Sequence, residues 1–263
     1  SLQVNVTNML DNKVTDLGPG GEETIGFNNI IRIGEPFRAF YGYEAVGIFQ
    51  NAEEVETAPV QFGGNTTASG DIQYRDQLTV DTDGDGIPDE ADGVINADDR
   101  VVIGNPHPKW LYNINTDFGF NNVDLKLLFQ GLAKVDRLIL GNGQRPMVDE
   151  RSNALSYWKD RWTEDNPSRT LPRVGNFTNA QISTFYVEDG SYLRLKNVEL
   201  GYTLPKSLIG KLGIERLRLH LAGQNLLTFT KMKHYDPERP AGDTGARQAP
   251  LYKVYSVGIN LTF

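Results

Sequence analysis

From Val254 to Phe263 the chain alternates without a miss: Tyr255, Val257, Ile259, Leu261 and Phe263 share one parity, Ser256, Gly258, Asn260 and Thr262 the other. Successive side chains of a strand point to opposite faces, so the segment predicts a strand with one apolar face and one small, polar face. The same rhythm runs through Tyr112, Ile114, Thr116, Phe118 and Phe120, then through Val123, Leu125, Leu127 and Phe129, with Asn121-Asn122 as a tight turn between them. Leu217, Leu219, Leu221, Leu227 and Phe229 oppose Arg218, His220, Gln224 and Thr228 in another strand. Between Gly190 and Leu204 the apolar parity moves from Leu193 and Leu195 to Val198, Leu200, Tyr202 and Leu204, which predicts a bulge near Lys196 and Asn197. Leu2, Val4 and Val6 predict one more strand at the start of the chain.

The connections between these strands are of two kinds. Those near 120–122 and 205–213 are short, whereas those over about 20–107, 132–189 and 231–250 are long. Strands apolar on one side and polar on the other, joined alternately by short turns and long loops, are the pattern of an antiparallel transmembrane β-barrel. With the C-terminus periplasmic, every short turn falls on the periplasmic side and every long loop outside. Membrane barrels need about eight strands or more to close, and an open edge in lipid leaves backbone groups unpaired. The expectation is therefore an all-β fold in which residues 1–263 form the C-terminal part of a larger barrel, in the cell outer membrane.

Composition narrows this picture. No run of about 18 apolar residues exists, so membrane-spanning helices are excluded. The mean hydropathy of −0.42 is compatible with a barrel, because only every second residue faces lipid. The absence of cysteine removes disulfides, thiol catalysis and cysteine-based zinc sites. A net charge of −8 argues against nucleic acid as a partner. The first residues carry neither a charged nor an apolar leader segment, so the expectation is a mature or partial chain. The three histidines, His107, His220 and His234, are scattered, and neither a G-x-S-x-G elbow nor an H-E-x-x-H pair occurs. No catalytic residue is assigned, and the chain is not expected to be an enzyme.

One stretch carries candidate metal chemistry. Residues 81–92 fit a D-x-D-x-D-G loop, with Asp81, Asp83, Asp85, Asp89 and Asp92 as carboxylate ligands and the Ile87 carbonyl as a further oxygen. Calcium takes six to eight hard oxygens, and five carboxylates in one short loop repel one another unless a cation neutralises them. The expectation is a structural calcium ion in an acidic insertion spanning 71–103. The competing reading is a solvated Asp-Gly turn without metal.

Tyr157, Trp158 and Trp162 lie in a stretch, 149–162, that reads as a short helix in a long loop. Their rings either meet a sugar or a partner protein or form the loop's own core, and Tyr41 and Tyr43 admit the same two readings. Arg194, Arg218 and Lys126 fall on polar strand faces, where carboxylates of the lumen or of a plug are their expected partners. Tyr255 and Trp110 suit an interfacial aromatic girdle. The runner-up fold is a secreted, calcium-stabilised β-sandwich that binds carbohydrate.

Longer wording adds a resemblance. Gly70-Asp71-Ile72-Gln73-Tyr74-Arg75-Asp76, Asp99-Arg100-Val101-Val102-Ile103-Gly104-Asn105-Pro106, Leu128-Phe129-Gln130-Gly131, the run from Val187 to Val198, Gly201-Tyr202-Thr203-Leu204-Pro205 and Gly223-Gln224-Asn225-Leu226-Leu227-Thr228-Phe229-Thr230 occur in order. So do Arg161-Trp162-Thr163-Glu164-Asp165-Asn166-Pro167 and Tyr235-Asp236-Pro237-Glu238. Together they resemble the SusC-like family of TonB-dependent outer-membrane transporters. That resemblance implies a barrel of 22 strands around an N-terminal plug, energy delivered through TonB, a SusD-like surface lipoprotein as lid, and glycans or peptides as substrates. The aromatic terminus resembles the signal read by outer-membrane assembly machinery. The plug is absent from these residues, and the acidic loop is longer than the family's usual form, resembling a thrombospondin type 3 repeat.

Overall fold

In the computed structural model, six long strands form one antiparallel sheet in chain order. They are β1 (Leu2–Asn8), β2 (Trp110–Phe120), β3 (Val123–Ala133), β4 (Tyr192–Thr203), β5 (Arg216–Thr230) and β6 (Val254–Thr262). The structure describes residues 1–9, 12–18, 23–64, 66–146, 154–238 and 251–263. Among them no helix is long and apolar enough to cross a membrane.

The register turns sequence parity into two continuous faces. Phe118 pairs with Leu125, Leu125 with Leu200, Leu200 with Leu221 and Leu221 with Val257, an apolar row across five strands. This row is open: Leu221 is 56% exposed and Val257 78%. Arg218, on the opposite face, is only 8% exposed, and Arg194 2%. A water-soluble sheet hides its apolar side; this one leaves its apolar row open while two arginines of the opposite face are buried. The sandwich alternative fails here, since among the described residues no second layer covers Val257, Ile259 or Leu261.

The bulge lies where the parity change puts it. Leu195 pairs with Phe129 and Asn197 with Leu128, leaving Lys196 as the extra residue. On the other side Leu195 pairs with Leu227 and Asn197 with Gln224, so β5 carries Asn225 and Leu226 as additional residues. Asn225 takes a φ of 53°, in the left-handed region that Asn tolerates better than most residues. One extra residue flips the apolar parity of β4, whereas two restore it on β5. That is why the sequence announces only half of this irregularity.

All three long connections leave the same end of the sheet, where Asn8, Trp110, Ala133, Tyr192 and Thr230 terminate or begin their strands. At the other end Asn121, with a φ of 53°, closes the two-residue turn between β2 and β3. The β4–β5 connection contains a helical turn, Lys206–Ile209 continued by Gly210–Leu212, that buries Ile209 and stops at Gly213 with a φ of 70°. Pro and Gly mark only the limits of this turn in the sequence, which does not announce the helix between them.

The first long connection is folded, not a structureless excursion. Thr24–Ile25, Asn29–Ile31, Ala39–Gly42 and Val101–Gly104 form a four-stranded sheet, and Ala45–Ile48 pairs with Ile72–Tyr74. Phe40, Tyr43, Ile72, Tyr74 and Ile95 from this connection share a core with Leu138, Leu140, Ile182 and Tyr186 from the second. Gly42 permits the approach, since a Cβ there would lie 2.2 Å from the Ile182 carbonyl oxygen. The two loops thus build one body at the loop end of the sheet. Tyr41 and Tyr43 are buried in it, so of their two readings the packed core is the one their geometry favours.

Candidate functional site

Asp71 is the polar centre of the loop body. Fully buried, it accepts from Arg173 Nε at 2.7 Å and Nη2 at 2.8 Å, from Asn176 Nδ2 at 2.7 Å, from Asn179 Nδ2 at 2.8 Å and from the Ala68 backbone N–H at 2.9 Å. A buried carboxylate is tolerated when it is paired and hydrogen-bonded this fully. The partners come from both long loops, so the interaction locks one loop to the other. Hydrogen bonding to Asp71 raises the pKa of the Arg173 guanidinium and keeps it charged. Asn179 also accepts from the Ile72 N–H at 2.8 Å, while Tyr74 and Tyr186 donate their hydroxyls to the carbonyls of Thr178 and Asn179. Burial pushes both tyrosine pKa values up.

The 71–103 segment is anchored at both ends, by Asp71 and by Val101–Gly104, and only its middle stands in solvent. Buried Asp99 accepts from the N–H groups of Gln77 and Asn96 at 2.8 and 2.7 Å and holds the base of the loop. Asp81, Asp83 and Asp85 bring carboxylate oxygens within 4.8 Å of one another. Asp81 accepts from the Gly84 and Gly86 N–H groups, with the Gly86 bond the larger cause of its lowered pKa. Asp89 turns to Thr82, whose hydroxyl and N–H both donate to it and lower its pKa. Asp92 accepts from Val94, and the Ile87 N–H donates to Asp85. The expected ligands are thus divided: three carboxylates meet, while Asp89 and Asp92 are engaged elsewhere.

The helical part of the aromatic stretch is a short turn, Ser156–Asp160; residues 149–153 of the expected helix lie outside the described residues. Trp158 is 3% exposed, and Tyr157 stacks between Trp158 and His234, with ring centroids at 5.8 and 4.1 Å. Burial raises the Tyr157 pKa. Trp162 lies against Gly70, where a Cβ would come within 2.4 Å of its ring. These three aromatics therefore pack largely as loop core. Tyr157 also borders a cavity of about 700 Å³ between the second and third loops, lined besides by Asp160, Phe185, Asp189, Lys231 and Lys233.

On the polar face of the sheet, Arg218 donates to Asp124 at 3.0 and 2.5 Å and to Glu199 at 2.6 Å. Gly201 makes room for this guanidinium, since a Cβ there would lie 2.2 Å from Nη2. Arg194 donates to Asp236 at 2.9 and 2.7 Å, to Glu238, and to the Thr228 hydroxyl at 2.8 Å. Tyr192 and Lys196 also bind Glu238. Arg218 thus meets strand carboxylates on the polar face, as its parity implies, whereas the partners of Arg194 are carboxylates of the third loop, whose start it draws over that face. Residues 239–250 of that loop lie outside the described residues.

No family model matches the chain. TonB-dependent receptor P3 of Formosa agariphila is 33% identical over 245 residues, covering 89% of this chain and 23% of the receptor. TonB-dependent receptor P26 of the same organism is 28% identical over 274 residues, covering 96% and 26%. The RagAB peptide transporter superposes with a TM-score of 0.67 at 27% identity, over 91% of this chain and 24% of that one. The RagAB peptide importer in its closed-closed state gives 0.69 at 28% identity, over 95% and 26%. The chain thus spans about a quarter of the length of the relatives it matches. These relatives are receptors and transporters rather than enzymes. Over most of its length, then, the chain is similar in sequence to TonB-dependent receptors and in fold to an outer-membrane transporter barrel, in keeping with a sheet whose apolar row is open.

Proposed function

We propose that the chain is the C-terminal portion of a SusC-like, TonB-dependent outer-membrane importer that takes up glycans or peptides with a SusD-like surface lipoprotein. The open apolar row from Phe118 to Val257 carries this reading, because such a surface is stable against hydrocarbon and costly against water. In this role the six strands are barrel wall. The short turns and the C-terminus lie on the periplasmic side, and the body centred on Asp71 faces outward, toward substrate and lid. Energy coupling belongs to a plug that is not among these residues. The test is uptake by cells carrying the complete receptor: accumulation of a labelled substrate should require both the receptor and TonB. Accumulation that persists without TonB contradicts the reading.

A structural calcium ion at Asp81, Asp83 and Asp85 is the second part of the proposal, supported by three hard-oxygen ligands whose carboxylate oxygens lie within 4.8 Å of one another. Asp89, Asp92 and the Ile87 carbonyl complete the set if the loop tightens around the ion. Thermal melts with calcium and with chelator test it. A calcium-dependent rise in melting temperature that vanishes in Asp83→Asn and Asp85→Asn variants is expected, and the same melting curve in both conditions contradicts it.

A further inference from the structure

Asp71 and Asp99 are both fully buried, yet their charges are met differently. Asp71 has the Arg173 guanidinium. Asp99 accepts the N–H groups of Gln77 and Asn96, and among the described residues no Lys or Arg pairs with it. A second carboxyl group stands against it instead, since Asp76 lies within hydrogen-bonding reach of the Asp99 side chain. Asp76 Oδ2 accepts from the Gly93 N–H at 2.8 Å, while its Oδ1 is cut off from solvent and has no partner. Burial raises the Asp76 pKa and the charge of Asp99 adds to the rise, against the Gly93 hydrogen bond. Buried charge of one sign is costly unless something neutralises it.

These groups meet where the acidic insertion joins the loop body. Asp76 precedes the outgoing strand Leu78–Val80, which pairs with Glu90–Ala91, and Asp99 closes the returning turn Ala97–Asp99. Ile95 fixes the returning stretch to the core of the body. Leu78 and Val80 are exposed, so Thr79 between them faces inward, in a strand that packs beside the Ala97–Asp99 turn. Its hydroxyl oxygen is also buried without a partner. A proton shared by the two carboxyl groups would serve one oxygen of each and remove one of the two charges. A divalent cation neutralises both and takes several hard oxygens at once.

The geometry points to a second cation site, at the base of the acidic insertion, in which Asp76 Oδ1 and the Asp99 carboxylate hold a calcium ion with the Thr79 hydroxyl beside it. This site shares no ligand with Asp81, Asp83 and Asp85. It pins the insertion to the loop body whether or not the outer loop is loaded, and it does not rest on the importer reading.

The test is amide exchange of the complete receptor in detergent, in the Asp83→Asn, Asp85→Asn background that disables the outer loop, with calcium chloride and with chelator. Calcium should slow exchange of the Gln77, Gly93 and Asn96 amides, which donate to the two carboxylates, by about tenfold when free calcium is about ten times its dissociation constant. This comparison needs no change at Asp76. Adding Asp76→Asn, which keeps an oxygen for the Gly93 N–H, should abolish the calcium effect and remove one bound calcium per receptor in equilibrium dialysis. The same exchange with calcium and with chelator, or a calcium effect that survives Asp76→Asn, overturns the site. Protection that follows pH and ignores calcium identifies a shared proton and overturns it as well. A calcium effect in the unsubstituted receptor that is absent from the Asp83→Asn, Asp85→Asn background sinks this site and leaves the outer one standing.

Discussion

Arg173 and Asp71, 102 residues apart in the chain, meet as a two-pronged ion pair in the core of the loop body, with Nε and Nη2 at 2.7 and 2.8 Å from the two carboxylate oxygens. The pair determines how the first two long loops are presented, because each loop supplies one partner. Replacing Arg173 by Ala leaves a buried carboxylate with part of its neutralisation gone, a change that costs about 3 kcal/mol. In the complete receptor, Arg173→Ala should speed amide exchange throughout 70–75 and 176–186 without altering exchange in β2 to β5. Arg173→Lys should fall between the two, since an ammonium cannot reproduce the forked contact.

Arg194 plays the corresponding part for the third loop. Its substitution by Gln removes the cation shared by Asp236 and Glu238, leaving Glu238 with Lys196 and Tyr192 and Asp236 with the Glu238 backbone N–H. Faster exchange at 234–238 is expected, with β4 itself unchanged. If 234–238 stays as protected as before, Arg194 is not what holds the loop down.

Asp136 gives the loop body a pH response. Burial raises its pKa, against a hydrogen bond from the Asn105 N–H. A carboxyl whose pKa is raised on folding contributes stability that is complete below its unfolded value and is lost as pH rises through its folded value. Loop-body stability should therefore decline as pH rises from below the ordinary carboxylate range to above it. Asp136→Asn should flatten that decline in melts followed at successive pH values.

What the sequence made legible follows from the physics of each region. A strand between lipid and water must alternate, so β1 to β6 and the Lys196 bulge are written in parity. The loop body obeys no such rule. Its strands are two to four residues long, Ala39–Gly42 is buried along its whole length, and its core joins residues near 40 and 72 to others near 138 and 182. Periodicity cannot report contacts of that separation. Asp71 stood inside a recognisable run, yet nothing local distinguishes a buried hub from a surface aspartate; its partners Arg173, Asn176 and Asn179 are about a hundred residues away. The acidic loop was visible as composition, but which of its carboxylates converge depends on Thr82 and the glycines that draw them apart or together.

Substitutions on the two faces of β5 should differ sharply. Leu221→Arg places a charge on the outward row and is expected to cost about 2 to 4 kcal/mol if that residue lies near the bilayer midplane. Its neighbour His220 faces the polar side, where a Cβ on Gly258 would touch its ring. His220→Gln should therefore be tolerated, as judged by heat-modifiable migration of the folded barrel in gels.

The absence of cysteine lets single cysteines report each face without background. With the complete receptor in lipid bilayers, spin labels at Leu221→Cys and Val257→Cys should be relaxed preferentially by oxygen dissolved in the lipid, and labels at His220→Cys and Ser256→Cys by a water-soluble nickel complex. Alternation of this kind along both β5 and β6 is the result the barrel account predicts. Preferential relaxation of the Val257 and Leu221 labels by the water-soluble complex, or shielding of both labels from either reagent, would contradict it.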